Sequence, residues 1–128
     1  METAVFPSAA SSPNRSVVVS KAVARAAELL GLTNAALART IGVSEATASR
    51  LRAGSFALDP GSKPYELALL LVRLFRGLDA VVAGDEASLR SWMAAKNIAL
   101  GGVPRELVQN VTGLVAAVDY VDAVRARI

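Results

Sequence analysis

Residues 33–54, TNAALARTIGVSEATASRLRAG, give the clearest structural information in this chain, because they predict two short helices joined by a tight turn. Thr33 and Ser44 are suited to begin these helices, since a hydroxyl can accept a hydrogen bond from an otherwise unpaired backbone N–H. Gly42 can take the left-handed conformation that the turn requires, and Gly54 is expected to end the second helix. The pattern is typical of a helix-turn-helix whose second helix enters the major groove of DNA.

The apolar residues of this stretch support the same interpretation. Leu37, Ala38 and Ile41 share one face of the first helix, and Ala48 and Leu51 share one face of the second. We expect the small Ala38 to lie where the two helices cross, because a steep crossing over a short turn leaves no space for a large side chain. The structural alternative is a helical hairpin that never contacts DNA.

The outward positions of the second helix are the candidate DNA contacts. Arg50 and Arg52 are the strongest, because one guanidinium can bind a guanine edge in bidentate fashion while the other holds a phosphate. Arg39 and Lys21 are candidates for contacts with the phosphate backbone, and the alternative for each cation is a solvated surface charge. The full candidate DNA-binding set is Ser44, Glu45, Thr47, Ser49, Arg50, Arg52 and Arg39.

Composition predicts an all-α, non-enzymatic protein. The 128 residues are 53% hydrophobic but only 5% aromatic, and Ala, Leu and Val dominate, as suits packed helices. There is no Cys and no His, which excludes disulfides and removes the commonest general base and metal ligand. Asp119 and Asp122 lie three apart but are more simply a solvated face. We therefore expect no catalytic residues, no cofactor and no metal site.

Charge and hydropathy point to nucleic acid and to protein partners. Lys and Arg exceed Asp and Glu seven to four in residues 1–64, and the two classes balance at seven each in residues 65–128. The excess thus lies in the half with the helix-turn-helix, as phosphate binding requires. The most apolar run, residues 67–72, is too short to span a bilayer, and no secretory signal is evident, so we expect a cytoplasmic protein. A mean hydropathy of +0.42 favours apolar surface covered by a partner or by self-association.

The chain divides into four predicted segments. Residues 1–15 are expected to form a disordered tail, and residues 16–58 a helix-turn-helix DNA-binding domain whose first helix starts near residue 16 or 20. Residues 59–64, rich in Pro, Gly and Ser, are the predicted linker. Residues 65–128 are predicted to form a small helical domain. Its first helix, residues 65–82, is apolar on nearly all faces, so we expect it to contribute to a dimer or partner interface.

The second half has a pattern of its own. Trp92 lies on a predicted helix, and LGGVP follows at residues 100–104, where the two glycines suggest a turn into a helix opened by Pro104. A short helix containing Leu107, then Gly113, then an amphipathic terminal helix complete it. This pattern resembles the toxin-binding domain of the Xre/MbcA/ParS family of bacterial antitoxins, in which such a domain follows an Xre-type helix-turn-helix. The resemblance covers roughly residues 20–126.

Two departures from the family pattern concern the C-terminal half. Many relatives have a Pro-Asn step after the Trp where this chain has Lys96-Asn97. Relatives commonly continue to a Gly and an aromatic residue that approach the toxin's active site, whereas this sequence ends at Arg127-Ile128. These departures bear more on how the chain would inhibit a toxin than on whether it binds one.

The resemblance implies an antitoxin that does no chemistry itself. Its usual partner is a RES-domain toxin, which consumes or transfers ADP-ribose from NAD; the antitoxin occludes the NAD cleft and represses its own operon. The candidate toxin-binding residues are Trp92, Gly101, Gly102, Tyr120, Arg125, Arg127 and Ile128. The aromatic residues have a core role as their alternative, and the arginines a favourable position at a helix C-terminus.

Two expectations concern assembly and the competing function. We expect a homodimer on operator DNA, because a single recognition helix contacts too few base pairs, and a higher-order complex with the toxin. The alternative function is a plain helix-turn-helix regulator whose C-terminal half only dimerises or senses a ligand.

Overall fold

A computed structural model describes residues 5–127 of the chain, with side chains described from residue 14 onward. Seven α-helices and no strand are present in this part of the chain, which confirms the all-α prediction. The helices are α1 Val5–Leu30, α2 Asn34–Ile41, α3 Glu45–Ala53, α4 Lys63–Val81, α5 Glu86–Ala94, α6 Pro104–Leu107 and α7 Val111–Arg125.

The start of α1 differs from the sequence expectation. Residues 5–15, expected to belong to a disordered tail, continue the helix toward the N-terminus, whereas residues 1–4 lie outside the described residues. Pro7 falls in the first turn, where its missing N–H removes no helical bond, and Ala9 and Ala10 have the highest helix propensity of any residue type. Residues 5–15 lack a helical repeat of apolar residues, but a helix needs that repeat only where it packs against the core.

The helix-turn-helix forms as predicted from its caps. Thr33 Oγ1 accepts a hydrogen bond from Ala36 N at 3.0 Å, and Ser44 Oγ accepts one from Thr47 N at 3.0 Å. Gly42 takes the left-handed conformation with φ +78° at the end of α2. The small Ala38 is buried between the helices, so α2 and α3 pack closely.

Helix α4 is the central helix of the fold. It packs against α1, α2, α5 and α7, and its buried face joins the two halves into one continuous hydrophobic core. Lys63 and Pro64, expected in the linker, form its first turn. Leu69 is its one large apolar side chain that is exposed among the described residues, so the chain itself covers most of the surface expected to need a partner. None of the described helices is both long and apolar enough to cross a membrane.

The C-terminal half is organised by a tight loop and two caps. Asn97 N donates to the Gly102 carbonyl at 2.8 Å and closes the loop that leads to α6. Pro104 begins α6 as predicted, and α6 ends at Leu107. Asn110 Oδ1 then accepts a hydrogen bond from Gly113 N at 2.9 Å and caps the start of α7.

Candidate functional site

A row of hydrogen-bonded polar side chains runs along α3. Ser44 Oγ donates to Thr47 Oγ1 at 2.9 Å, and Arg50 Nη2 donates to the same oxygen at 3.1 Å. Ser44 and Arg50 are exposed and Thr47 is half-buried. The structure therefore brings together three of the predicted DNA-binding residues and holds the Arg50 guanidinium along the helix surface.

Two further predicted residues lie on the exposed surface of α3. Glu45 is in the first turn and Ser49 is one turn later, and both are exposed to solvent. A carboxylate in a first turn is stabilised by the partial positive charge of the helix N-terminus. Glu45 thus has a structural role in addition to any contact with a base.

Arg52 was predicted to contact DNA, but in the structure its guanidinium is bound within the protein. Its Nη1 donates to Asn34 Oδ1 at 3.0 Å and its Nη2 donates to the Leu32 carbonyl, so the guanidinium ties the end of α3 to the start of α2. Burial lowers the pKa of this guanidinium below its usual value, and the nearby Glu28 carboxylate opposes the shift. The prediction weighed residue type and helical face, but it could not include this tertiary contact.

Arg39 also has an intramolecular partner. Its Nε donates to Gln109 Oε1 at 2.7 Å, which connects α2 to the segment between α6 and α7. Arg39 is exposed and Gln109 is half-buried. In this arrangement Arg39 links the helix-turn-helix to the C-terminal half.

Two predicted toxin-binding residues form an aromatic pair. The rings of Trp92 on α5 and Tyr120 on α7 are stacked, with centroids 6.4 Å apart and planes inclined by 24°. Each side chain is half-buried and packs against the core. The pair therefore has one side in the core and presents aromatic surface to solvent, which suits large amphipathic residues at interfaces.

The glycine loop between α5 and α6 contains one residue that the sequence analysis missed. Gly101 has φ +81°, and a Cβ at Gly102 would come within 3.1 Å of Leu107 Cδ2, so both glycines shape the turn. Between Asn97 and these glycines, Ile98 is 91% exposed. The sequence could have indicated Ile98, because an apolar residue within a predicted turn is exposed to solvent.

The remaining predicted residues lie at the end of the chain. Arg125 is the last residue of α7, and both Arg125 and Arg127 are exposed, while Ile128 lies outside the described residues. Asp122 pairs with Arg73 at 2.7 Å and so joins α7 to α4. This ion pair gives Asp122 a structural role.

Arg90 on α5 is a second residue that the sequence analysis missed. Its Nη2 donates to the Glu28 carbonyl at 2.9 Å, which joins the C-terminal half to α1. The two residues are far apart in sequence, so no local pattern indicates the contact.

Comparisons with known families match the two halves of the chain to two different domains. The antitoxin Xre-like helix-turn-helix domain matches residues 9–73, and the antitoxin Xre/MbcA/ParS C-terminal toxin-binding domain matches residues 77–127. No curated protein matches the chain. The first match contains the polar row of α3, and the second contains the Trp92–Tyr120 pair and the glycine loop. The boundary between them falls within α4.

Proposed function

This chain belongs to the Xre/MbcA/ParS family of antitoxins, and we propose that it inhibits a RES-type, NAD-consuming toxin and represses its own operon through the helix-turn-helix. The observation that carries the proposal is the presence of both family domains, in family order, in one chain. A toxin-binding domain favours an antitoxin over a regulator whose second half only dimerises. The RES assignment rests on the resemblance described above.

For the toxin, the proposed contact surface is centred on the Trp92–Tyr120 pair. Half-buried aromatic side chains already fixed in place lose little conformational entropy on binding, which suits them as anchors. Gly101 and Gly102 would let the toxin approach the backbone of the neighbouring loop. The exposed Ile98 at this loop adds apolar area to the same surface.

Occlusion of the NAD cleft is proposed for the end of the chain. Arg125 and Arg127 are exposed cations at and just after the end of α7. Guanidinium groups bind carboxylates and phosphates in bidentate fashion, so they suit either acidic groups of the toxin or a site that holds the phosphates of NAD.

For DNA, the proposed contacts come from the exposed surface of α3. Arg50 would contact a base edge, and Ser44, Thr47 and Ser49 would donate to phosphates. Two copies are needed to contact two half-sites, so we propose a homodimer on the operator and a larger complex when the toxin is bound. The protein would act in the cytoplasm, without a cofactor and without catalytic residues.

The test is co-expression of this chain with the product of the adjacent gene. We expect a stable complex on purification, relief of growth arrest by the chain, and preservation of cellular NAD when both proteins are present. A chain carrying Tyr120→Ala, expressed as a comparison, should give weaker relief. Growth arrest that persists would contradict inhibition by this chain, and a neighbour that leaves NAD untouched would contradict the RES assignment.

Repression is tested separately with the promoter of the operon. The chain should shift a fragment that contains the promoter and should lower expression of a reporter driven by it. An Arg50→Ala variant should fail in both assays and still bind the toxin. Equal repression by the two proteins would remove α3 from the proposed mechanism.

A further inference from the structure

Four cationic side chains from three helices line one pocket beside the helix-turn-helix. Lys21 and Arg25 lie one turn apart on α1, Arg52 is near the end of α3, and Arg90 comes from α5. The pocket has a volume of about 670 Å³. Glu28 is the only carboxylate among the described residues that line it.

Arg90 is held in this pocket by two features of α1 and the turn after it. The Glu28 carbonyl accepts the hydrogen bond from its Nη2, and the aliphatic part of the side chain lies over Gly31. A Cβ at Gly31 would lie 3.6 Å from Arg90 Cγ, and the φ of +77° at this glycine sets the turn. The C-terminal half therefore supplies one cation to a pocket otherwise built by the helix-turn-helix half.

The cations of this pocket have no ion-pair partner within residues 14–127. Among residues 14–127 the ion pairs are Lys63–Glu66 and Arg73–Asp122, so none of the four cations forms an ion pair with that part of the chain. Four cations and one carboxylate give the pocket a net charge of about +3 from the formal charges of these side chains. A concave surface lined by charges of one sign concentrates ligands of the opposite sign.

We propose that this pocket binds a phosphate group and that Arg90, from the toxin-binding half, is one of its ligands. Lys and Arg are the residue types that bind phosphate, the first as a point charge and the second through planar pairs of donors. Lys21, Arg25 and Arg90 are exposed, and Arg90 keeps N–H donors beyond the one that binds the Glu28 carbonyl. Arg52 is fixed by its bonds to α2 and supplies charge at the base of the pocket.

The phosphate that fits this location is one of the DNA backbone. Arg52 belongs to α3, and Thr33, the N-cap of α2, lines the same pocket, so the pocket borders the helix proposed to enter the major groove. The two DNA backbones that border the major groove, which is about 12 Å wide, run beside a helix that lies in it. This assignment rests on the proposed operator binding; the alternative source is the phosphate of a free small molecule.

The first arm of the test measures DNA affinity by fluorescence anisotropy between 50 and 200 mM salt. Arg90→Gln and Lys21→Gln should each weaken binding several-fold, equally for operator and unrelated DNA, and should lower the log–log salt slope by about 0.9 for each phosphate that the variant no longer binds. Arg76→Gln is the matched control, because Arg76 is exposed on α4 and does not line the pocket. An unchanged slope for both pocket variants would overturn the assignment to DNA.

The second arm uses tripolyphosphate, with the arginine Nε–Hε resonances as the readout, and does not depend on the chain binding DNA. Saturable shifts that Arg90→Gln abolishes and Arg76→Gln preserves would support the phosphate site. Such shifts together with an unchanged DNA slope would assign the site to a free phosphate ligand. If tripolyphosphate gives no saturable shift and the salt slope is also unchanged, the proposal is overturned. If the chain binds no DNA at all, the proposed operator binding fails, and the tripolyphosphate shifts still decide whether the pocket is a phosphate site.

Discussion

Gly77 on α4 and Val121 on α7 are in direct contact where the two helices cross, and a Cβ at position 77 would lie 2.8 Å from Val121 Cγ1. Both residues are buried. The Arg73–Asp122 ion pair joins the same two helices. The absence of a side chain at Gly77 therefore sets how closely α4 and α7 approach, and with it the position of the surface that α7 presents to a partner.

Replacing Gly77 should destabilise the fold through this contact. A methyl group at Gly77→Ala overpacks the crossing, which costs about 1–3 kcal/mol, while better helix propensity returns up to about 1 kcal/mol. We expect a net loss of about 1–2 kcal/mol in the free energy of unfolding, measured by urea denaturation. Gly77→Val should lose more.

The control is a double-mutant cycle with Val121→Ala, which removes the atoms that the new methyl group would meet. The two substitutions together should destabilise less than the sum of the single effects, by about 1 kcal/mol. Additive effects would mean that the helices separate without meeting at this point.

Three glycines of the C-terminal half should respond differently to alanine. A Cβ at Gly113 would collide with the backbone carbonyl of Leu107, which cannot move without disrupting α6, so Gly113→Ala should lose about 3 kcal/mol or more. Gly101→Ala, with φ +81° and open space around it, should lose about 1–2 kcal/mol. Gly102→Ala meets only the flexible end of the Leu107 side chain and should lose least. Thermal unfolding of the three variants gives this order directly, and a Gly102→Ala variant less stable than Gly113→Ala would contradict it.

The helix-turn-helix was predictable from sequence because its determinants are local. Thr33 and Ser44 cap their helices and Gly42 takes the left-handed turn within a few residues of one another. Arg52, Arg39 and Arg90 were not predictable in the same way, since their partners lie far along the chain and outside their own helices. Residue type and helical face indicate where a cation can point, but only the packing of α3 against α2, and of α5 against α1, determines what it binds.

Arg50 and Arg52 should therefore differ in how much each contributes to stability. Arg52→Ala removes two hydrogen bonds that join α3 to α2 and should lose about 1–3 kcal/mol in the free energy of unfolding. Arg50→Ala removes an exposed side chain and should change stability by less than about 0.5 kcal/mol, while weakening operator binding by roughly 1–3 kcal/mol. Urea denaturation and DNA titration on the same preparations test both. Loss of DNA affinity in a fully folded Arg52→Ala variant, with Arg50→Ala unaffected, would reverse the two roles.

The Trp92–Tyr120 pair should be the main determinant of toxin affinity. Tyr120→Ala removes exposed aromatic surface and one half of the stack, and truncation of such an anchor typically weakens binding by about 2–4 kcal/mol. Tyr120→Phe keeps the stacked ring and should retain most of the affinity. Val118→Ala is the control for stability, because Val118 is buried in the same helix and presents almost no surface to a partner; it should lower the free energy of unfolding and leave toxin affinity nearly unchanged. Calorimetric titration with the toxin, beside urea denaturation, distinguishes the two effects, and a Tyr120→Ala variant that loses stability but binds toxin normally would make the pair part of the core.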